Sequence, residues 1–266
     1  MGGRAKIKYR YFADLGSGAG HNTAATYAEI FRQLDGGVFD YYNGEGQAFF
    51  DALKKYPLRD KSVLIWGLAG CNCEALAVWA GAAKVLVVDY NKPVCDHEKI
   101  TVFNHDELQA AKIKTDCAIS YSSFEHDGLG RYGDPIAPDG DLRAMRQAWE
   151  TLNDDGILFF GVGLGRDCVK FNSHRIYGAA RLPLMLRGWR LLDVFSIYKD
   201  KTPDFPFDLR MGKMRQCVMV LRKIAADYPD EKELNAVAAT GGATSAPALC
   251  RRINQIVSAH CRRREK

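Results

Sequence analysis

The chain has 266 residues, 47% hydrophobic and 26% charged, which is enough for one large buried core with appendages and does not require a second domain. No run of about 18 apolar residues occurs, so no membrane-spanning helix is expected, and the opening Met-Gly-Gly-Arg-Ala-Lys-Ile-Lys lacks the apolar stretch of a secretory leader. The net charge of +5 sits at the ends, +4 in residues 1–10 and +5 in 247–266, leaving −4 between them, which argues against nucleic-acid binding by the body of the chain.

Residues 1–14 read as a basic lead-in without regular structure. Ala24 to Leu34 and Gln47 to Lys55 read as helices, the second with an apolar face of Phe49, Phe50 and Leu53 and a stop at Pro57. Ser62 to Trp66 is a short apolar run suited to a buried parallel strand. Gly67-Leu-Ala-Gly70 turns the chain into a helix over Cys73 to Ala82, and Lys84 to Val88 is a second buried strand with Asp89 at its end. A third strand is expected near Ile100 to Phe103 and a fourth over Asp116 to Tyr121. Asp141 to Asn153 reads as a helix, with Leu142, Met145, Trp149 and Leu152 on one face and Asp139 or Asp141 as its cap. Ile157 to Val162 is a fifth strand. Arg175 to Leu186 is expected to be partly helical, interrupted by Pro183. Trp189 to Tyr198 and Gln216 to Arg222 are two last strands, and the helix-free link between them favours antiparallel pairing. Asp230 to Ala239 and Ala248 to Arg264 read as further helices around a Gly/Ala/Thr linker. The last is basic and amphipathic, suited to an acidic partner or surface, or to loose packing on the body.

The chemistry-bearing residues cluster behind the apolar runs. Gly67 and Gly70 permit close backbone approach of a cofactor after the first strand. The turn is not Gly-x-Gly-x-x-Gly, so no pyrophosphate grip is visible. Asp89, about twenty residues on, suits a pair of ribose hydroxyls, and Asp106 or His105 is the candidate for a base at the third strand. After the fourth strand come Ser122, Glu125 and His126, able to contact a cofactor and manage a nucleophile's proton. Arg131 and Tyr132 follow, and His174, Arg175 and Tyr177 arrive from the loop after the fifth strand. The arginines, Arg181 among them, suit an anionic group. Glu125-His126-Asp127 read as a divalent-metal site is an alternative, as is a loop tied by its own hydrogen bonds. Cys71-Asn-Cys73 and Cys95-Asp-His97 lack structural zinc spacing, and no metal is expected. Eight dispersed cysteines suggest reduced thiols, hence a cytoplasmic protein.

Strand, glycine turn, helix, strand and acid, followed by a Glu-His pair after strand four and two terminal antiparallel strands, resemble the class I S-adenosylmethionine-dependent methyltransferases. More closely, residues 122–135, Pro138-Asp-Gly-Asp-Leu142, residues 172–183 and Val88-Asp-Tyr-Asn-Lys-Pro93 resemble the family known as Caenorhabditis protein of unknown function. That resemblance covers roughly residues 60–200. It implies an α/β, Rossmann-like, doubly wound, mostly parallel seven-stranded sheet with an antiparallel last strand. The chain then divides into an N-terminal lead-in with helices (1–58), a methyltransferase-type domain (59–226) and a C-terminal extension (227–266). The implied activity is methyl transfer from S-adenosylmethionine to a small polar or anionic acceptor. Gly67, Gly70, Asp89, Asp106 and Ser122 would bind the cofactor. Glu125, His126 and His174 would be catalytic, and Arg131, Tyr132, Arg175 and Tyr177 would face the substrate. A nucleotide- or NAD(P)-using Rossmann enzyme and a non-catalytic binding module are the alternatives.

Overall fold

Each apolar run offered as a buried strand is a strand in the computed structural model, which describes residues 6–12, 20–39, 41, 44–68, 71–197 and 214–224. In chain order the elements are β1 (Lys6–Arg10), β2 (His21–Asn22), α1 (Ala24–Asp35), α2 (Gly46–Lys55), β3 (Ser62–Trp66), α3 (Asn72–Trp79), β4 (Lys84–Val88), β5 (Val94–Cys95) and β6 (Ile100–Phe103). They continue with α4 (His105–Ala111), β7 (Thr115–Tyr121), α5 (Gly140–Thr151), β8 (Leu152–Leu164), β9 (Cys168–Asn172), β10 (His174–Ile176), α6 (Leu182–Met185), β11 (Trp189–Phe195) and β12 (Arg215–Lys223).

The main sheet runs β11-β12-β8-β7-β3-β4-β6. The chain starts at β3, steps outward to β4 and β6, then returns to the other flank of β3 with β7 and β8. These five strands are parallel to one another. β12 inserts between β8 and β11 and is antiparallel to both. The direction of winding reverses between β3 and β7, and in such sheets the crevice beyond the carboxyl ends at that point is where ligands bind.

Alternation along the strands builds two cores. Leu64, Trp66, Leu86, Val88, Ala118, Leu158 and Phe160 face α4, α5 and α6. Val63, Ile65, Val85, Val87, Cys117, Ile119 and Phe159 face α1, α2 and α3. Successive strand residues point to opposite faces, so strands buried on both sides read as continuous apolar runs. α1 and α2, N-terminal to the first strand of the sheet, contribute Tyr27, Leu34, Phe49 and Leu53 to the second core.

The structure corrects the sequence reading in four places. Lys6–Arg10, read as part of an unstructured lead-in, pairs in parallel with β9. α4 was not anticipated, although Asn104 and Glu107 form a reciprocal capping box at its start. Arg175 to Leu186 is not a broken helix: β10 turns back on β9 in an antiparallel pair, and only Leu182–Met185 is helical. Neither Asp139 nor Asp141 caps α5 with its side chain; Asp141 is fully buried and turned to other work. The expected helices over Asp230 to Ala239 and Ala248 to Arg264 lie outside the described residues. Among the described residues, no helix is long and apolar enough to cross a membrane.

Candidate functional site

The carboxyl end of β3 leads straight into Gly67. Its φ is +73°, and a Cβ there would lie 2.4 Å from Ser123 Oγ, so this turn accepts no side chain and brings the chain hard against the loop after β7. The neighbouring Leu68 N–H donates to Asp89 Oδ2 at 2.8 Å, and Asn91 N–H donates to Asp89 Oδ1 at 2.7 Å. Asp89 thus fastens the glycine turn to the end of β4, half-buried, with lone pairs remaining on both oxygens. Beyond β4, the rings of Tyr90 and His105 stack with centroids 4.1 Å apart. Burial holds His105 below its ordinary pKa. Asp106 is exposed in the first turn of α4. Gly70 lies outside the described residues.

The loop after β7 begins with Ser122 in the left-handed region, φ +53°. Its hydroxyl donates to Glu125 Oε1 at 2.8 Å, while Glu125 Oε2 is buried with no hydrogen-bond partner. Burial raises the Glu125 pKa, favouring the neutral acid. His126 Nδ1 lies 2.5 Å from the Ser173 carbonyl oxygen. A carbonyl only accepts, so Nδ1 carries the proton, and the neutral ring has its lone pair on Nε2. Tyr132 meets the His126 ring edge-on at 5.3 Å, and His174 does so at 6.3 Å. His174 Nδ1 pairs with Ser173 Oγ at 2.8 Å, and its buried Nε2 has no partner. Burial first, then the positive charges of Lys170, Arg10 and Arg131, push the His174 pKa down to about 4.

Several predicted substrate contacts belong instead to the scaffold. Arg175 is buried, with Nη1 donating to the carbonyls of Glu125 and Asp127 and Nη2 to that of Ala137. Tyr177 is fully buried and its hydroxyl donates to Asp141 Oδ2 at 3.0 Å. Arg181 donates to both Asp141 oxygens and to the Pro138 carbonyl. These three side chains are buried and hold the loop from below. Asp134 similarly gathers the N–H groups of Gly128, Gly130 and Tyr132, so the far part of the loop is a self-tied turn. His174 also fits the role of base poorly, because a group titrating near pH 4 is a weak proton acceptor at neutral pH.

The structure therefore sets the Gly67 turn, with Asp89 beside it, against the loop that carries Ser122, Glu125 and His126, with Tyr132 and His174 edge-on to the His126 ring and Arg131 over Tyr132. Sequence reasoning missed the N-terminal contribution: Phe12 exchanges backbone hydrogen bonds with the Asn172 side chain, and its ring lies 4.1 Å below the Arg131 guanidinium. The alternating Lys-Ile-Lys-Tyr-Arg of residues 6–10 was the available signal. A separate cleft of about 300 Å3 opens between α4 and α5, lined by Trp66, His105, Leu108 and Ile113.

A family model described as Caenorhabditis protein of unknown function matches residues 60–224. No curated protein matches the sequence. Among solved structures, the 1,6-didemethyltoxoflavin-N1-methyltransferase of Burkholderia thailandensis, with 1,6-didemethyltoxoflavin and S-adenosylhomocysteine bound, is 18% identical. The match covers 81% of this chain and 99% of that one, with a TM-score of 0.50. The ribosomal protein L11 methylase of Lactobacillus delbrueckii subsp. bulgaricus is 17% identical over 69% of this chain and 81% of that one, TM-score 0.41. A Streptococcus mutans protein assigned as a S-adenosylmethionine-dependent methyltransferase is 12% identical over 70% of this chain, TM-score 0.43, and this chain spans only 50% of its length. At such identities the likeness shows the fold alone, which is that of the class I methyltransferases.

Proposed function

We propose that this chain, which belongs to the family described as Caenorhabditis protein of unknown function, is a methyltransferase that uses S-adenosylmethionine to methylate a small polar acceptor. The observation that carries the reading is one juxtaposition at the switch point of the sheet. The side-chain-free Gly67 turn, tied by Leu68 N–H to Asp89, abuts a loop that presents His126 with its proton fixed on Nδ1. The cofactor also suits the donor set. Gly67 leaves a backbone surface where a Cβ would intrude, Asp89 keeps free lone pairs for ribose hydroxyls, and Glu125 Oε2 is a buried oxygen lacking a partner.

S-adenosylmethionine, when bound, supplies a methyl group on a sulfonium that is ready for in-line displacement. The chain's own task is to orient the acceptor and take its proton. His126 Nε2 is the acceptor of that proton, since Nδ1–H is committed to the Ser173 carbonyl. The same bond holds the ring in place as it takes the proton. Burial raises the Glu125 pKa, and its Oε2 is a buried oxygen with no partner among the described residues. Ser122 sets its rotamer through Oε1. Asp106 and Tyr90 with His105 border the adenine end.

Two measurements test this. Calorimetry should show binding of S-adenosylhomocysteine, weakened by about 1–3 kcal/mol in Asp89→Ala because the substitution leaves polar partners unmatched. No binding at millimolar concentration rejects the reading, and a response to NADH instead revives the dinucleotide alternative. With an acceptor in hand, His126→Ala should slow turnover by about a hundredfold, while leaving S-adenosylhomocysteine affinity within twofold. Unchanged turnover removes His126 from the chemistry.

A further inference from the structure

The N-terminal strand is not needed to complete the main sheet, yet it reaches the candidate site. β1 lies parallel to β9, so Lys8 stands beside Lys170 and Arg10 beside Asn172. β10 folds back on β9, which sets His174 opposite Lys170. Phe12 then lies between two guanidiniums, Arg10 at 5.2 Å and Arg131 at 4.1 Å from its ring centroid. Three cations from three separate segments therefore converge around His174, whose ring is 6.3 Å from that of His126.

None of these cations has a carboxylate partner among the described residues, although ion pairs are common elsewhere on the surface. Two nearby acids are otherwise engaged. Asp134 receives three backbone N–H groups, and Asp141 serves Arg181 and Tyr177. Two polar atoms in this corner, Arg131 Nε and His174 Nε2, are buried with no hydrogen-bond partner. Buried polar groups are nearly always satisfied, so a pair of orphans beside unpaired cations calls for a ligand that can accept.

We infer that Arg10, Arg131 and Lys170, with His174, form a subsite for an anionic group of the acceptor, a phosphate or a carboxylate, one imidazole's breadth from His126. The assignment of this anion to an acceptor rests on the methyl-transfer reading; the anion site itself does not. A guanidinium fixed against an aromatic ring has little freedom left to lose on binding, which suits Arg131 to recognise a planar or tetrahedral oxyanion. The subsite also draws β1, which lies outside the residues matched by the family model, into substrate selection.

Titration of the full-length protein with inorganic phosphate, and separately with malonate, in the presence of S-adenosylhomocysteine provides the test. Wild-type protein should bind at least one of them in a salt-dependent manner, and the tighter of the two identifies the anion class. Arg131→Gln and Lys170→Gln should each weaken that binding about tenfold, whereas Lys84→Gln, on the amino end of β4, should not change it. Lys170 lies on a partly exposed strand, so its variant carries the test if Arg131→Gln fails to give a native near-ultraviolet spectrum. Absence of anion binding, or equal affinity in Lys170→Gln and wild type, overturns the subsite. S-adenosylhomocysteine affinity measured in the same samples separates the two proposals. If the cofactor analogue fails to bind but anion binding still depends on Lys170, the methyl-transfer reading falls and the subsite stands.

Discussion

Asp141→Ala is expected to destabilise the protein by about 3–5 kcal/mol, the range for leaving a buried charge without its partner. Asp141 is fully buried and accepts from Arg181 Nε at 2.7 Å, from Arg181 Nη2, from the Tyr177 hydroxyl at 3.0 Å and from its own neighbour Leu142 N–H at 3.0 Å. Arg175 Nε is 3.7 Å away. Removing the carboxylate strands two buried guanidiniums and a buried phenol together. Asp141→Asn keeps the shape and two acceptor lone pairs and should cost less. Urea denaturation with an unchanged slope measures the effect directly, since a shifted midpoint alone then reports stability. A loss under 1 kcal/mol means that the cluster rearranges and does not hold the loop. The functional consequence follows from geometry. Arg175 ties the carbonyls of Glu125, Asp127 and Ala137, so loosening Arg175 should also misplace Glu125 and His126.

That ionic cluster marks where sequence reading stops. The seven strands were legible because parallel strands buried on both faces leave uninterrupted apolar runs such as Val63-Leu-Ile-Trp66. The site loop was legible because polar groups gather where such a run ends. Direction was not. His174 and Arg175 are adjacent in sequence, but consecutive strand residues point opposite ways, so one faces the crevice and the other the scaffold. No pattern in residues 172–183 distinguishes a broken helix from a hairpin that borrows its third strand from the far N-terminus. Pairing across more than 150 residues is a tertiary outcome, and local propensity carries no trace of it. The α4 helix, by contrast, was readable. Asn104 and Glu107 stand at capping-box spacing, and the apolar positions behind them were simply too few to attract notice.

Glu74 provides the second large effect, and it depends on pH. In the first turn of α3 a glutamate reads as a solvated partner for the helix dipole. Here it is fully buried, with Oε1 accepting from Asn22 Nδ2 at 3.2 Å and from the Tyr27 hydroxyl at 3.3 Å, and Oε2 left without a partner. Desolvation outweighs the two hydrogen bonds and the helix N-terminus, and pushes its pKa up to about 8. The folded protein therefore keeps this proton between about pH 4.5 and 8 while the unfolded chain releases it. Stability changes with pH as the protons bound unfolded minus those bound folded, which is −1 in this window. The contribution is fully present below pH 4.5, declines by about 1.4 kcal/mol per pH unit, and is exhausted above pH 8, for a total of about 5 kcal/mol. Glu125 and Asp127, also raised by burial, tilt the same way, so the diagnostic is the difference between proteins. Glu74→Gln, isosteric with the neutral acid, should match wild type near pH 5, exceed it in stability by several kcal/mol at pH 8, and show a slope smaller by one proton. Parallel stability curves for the two proteins would mean that Glu74 ionises freely in the folded state, with water reaching Oε2 between α1 and α3. The same titration bears on the cofactor edge, because Glu74 lies one turn from the loop that begins at Gly67. A proton lost there at alkaline pH should loosen α3 first, and S-adenosylhomocysteine affinity should then fall above pH 8 in wild type while holding steady in Glu74→Gln.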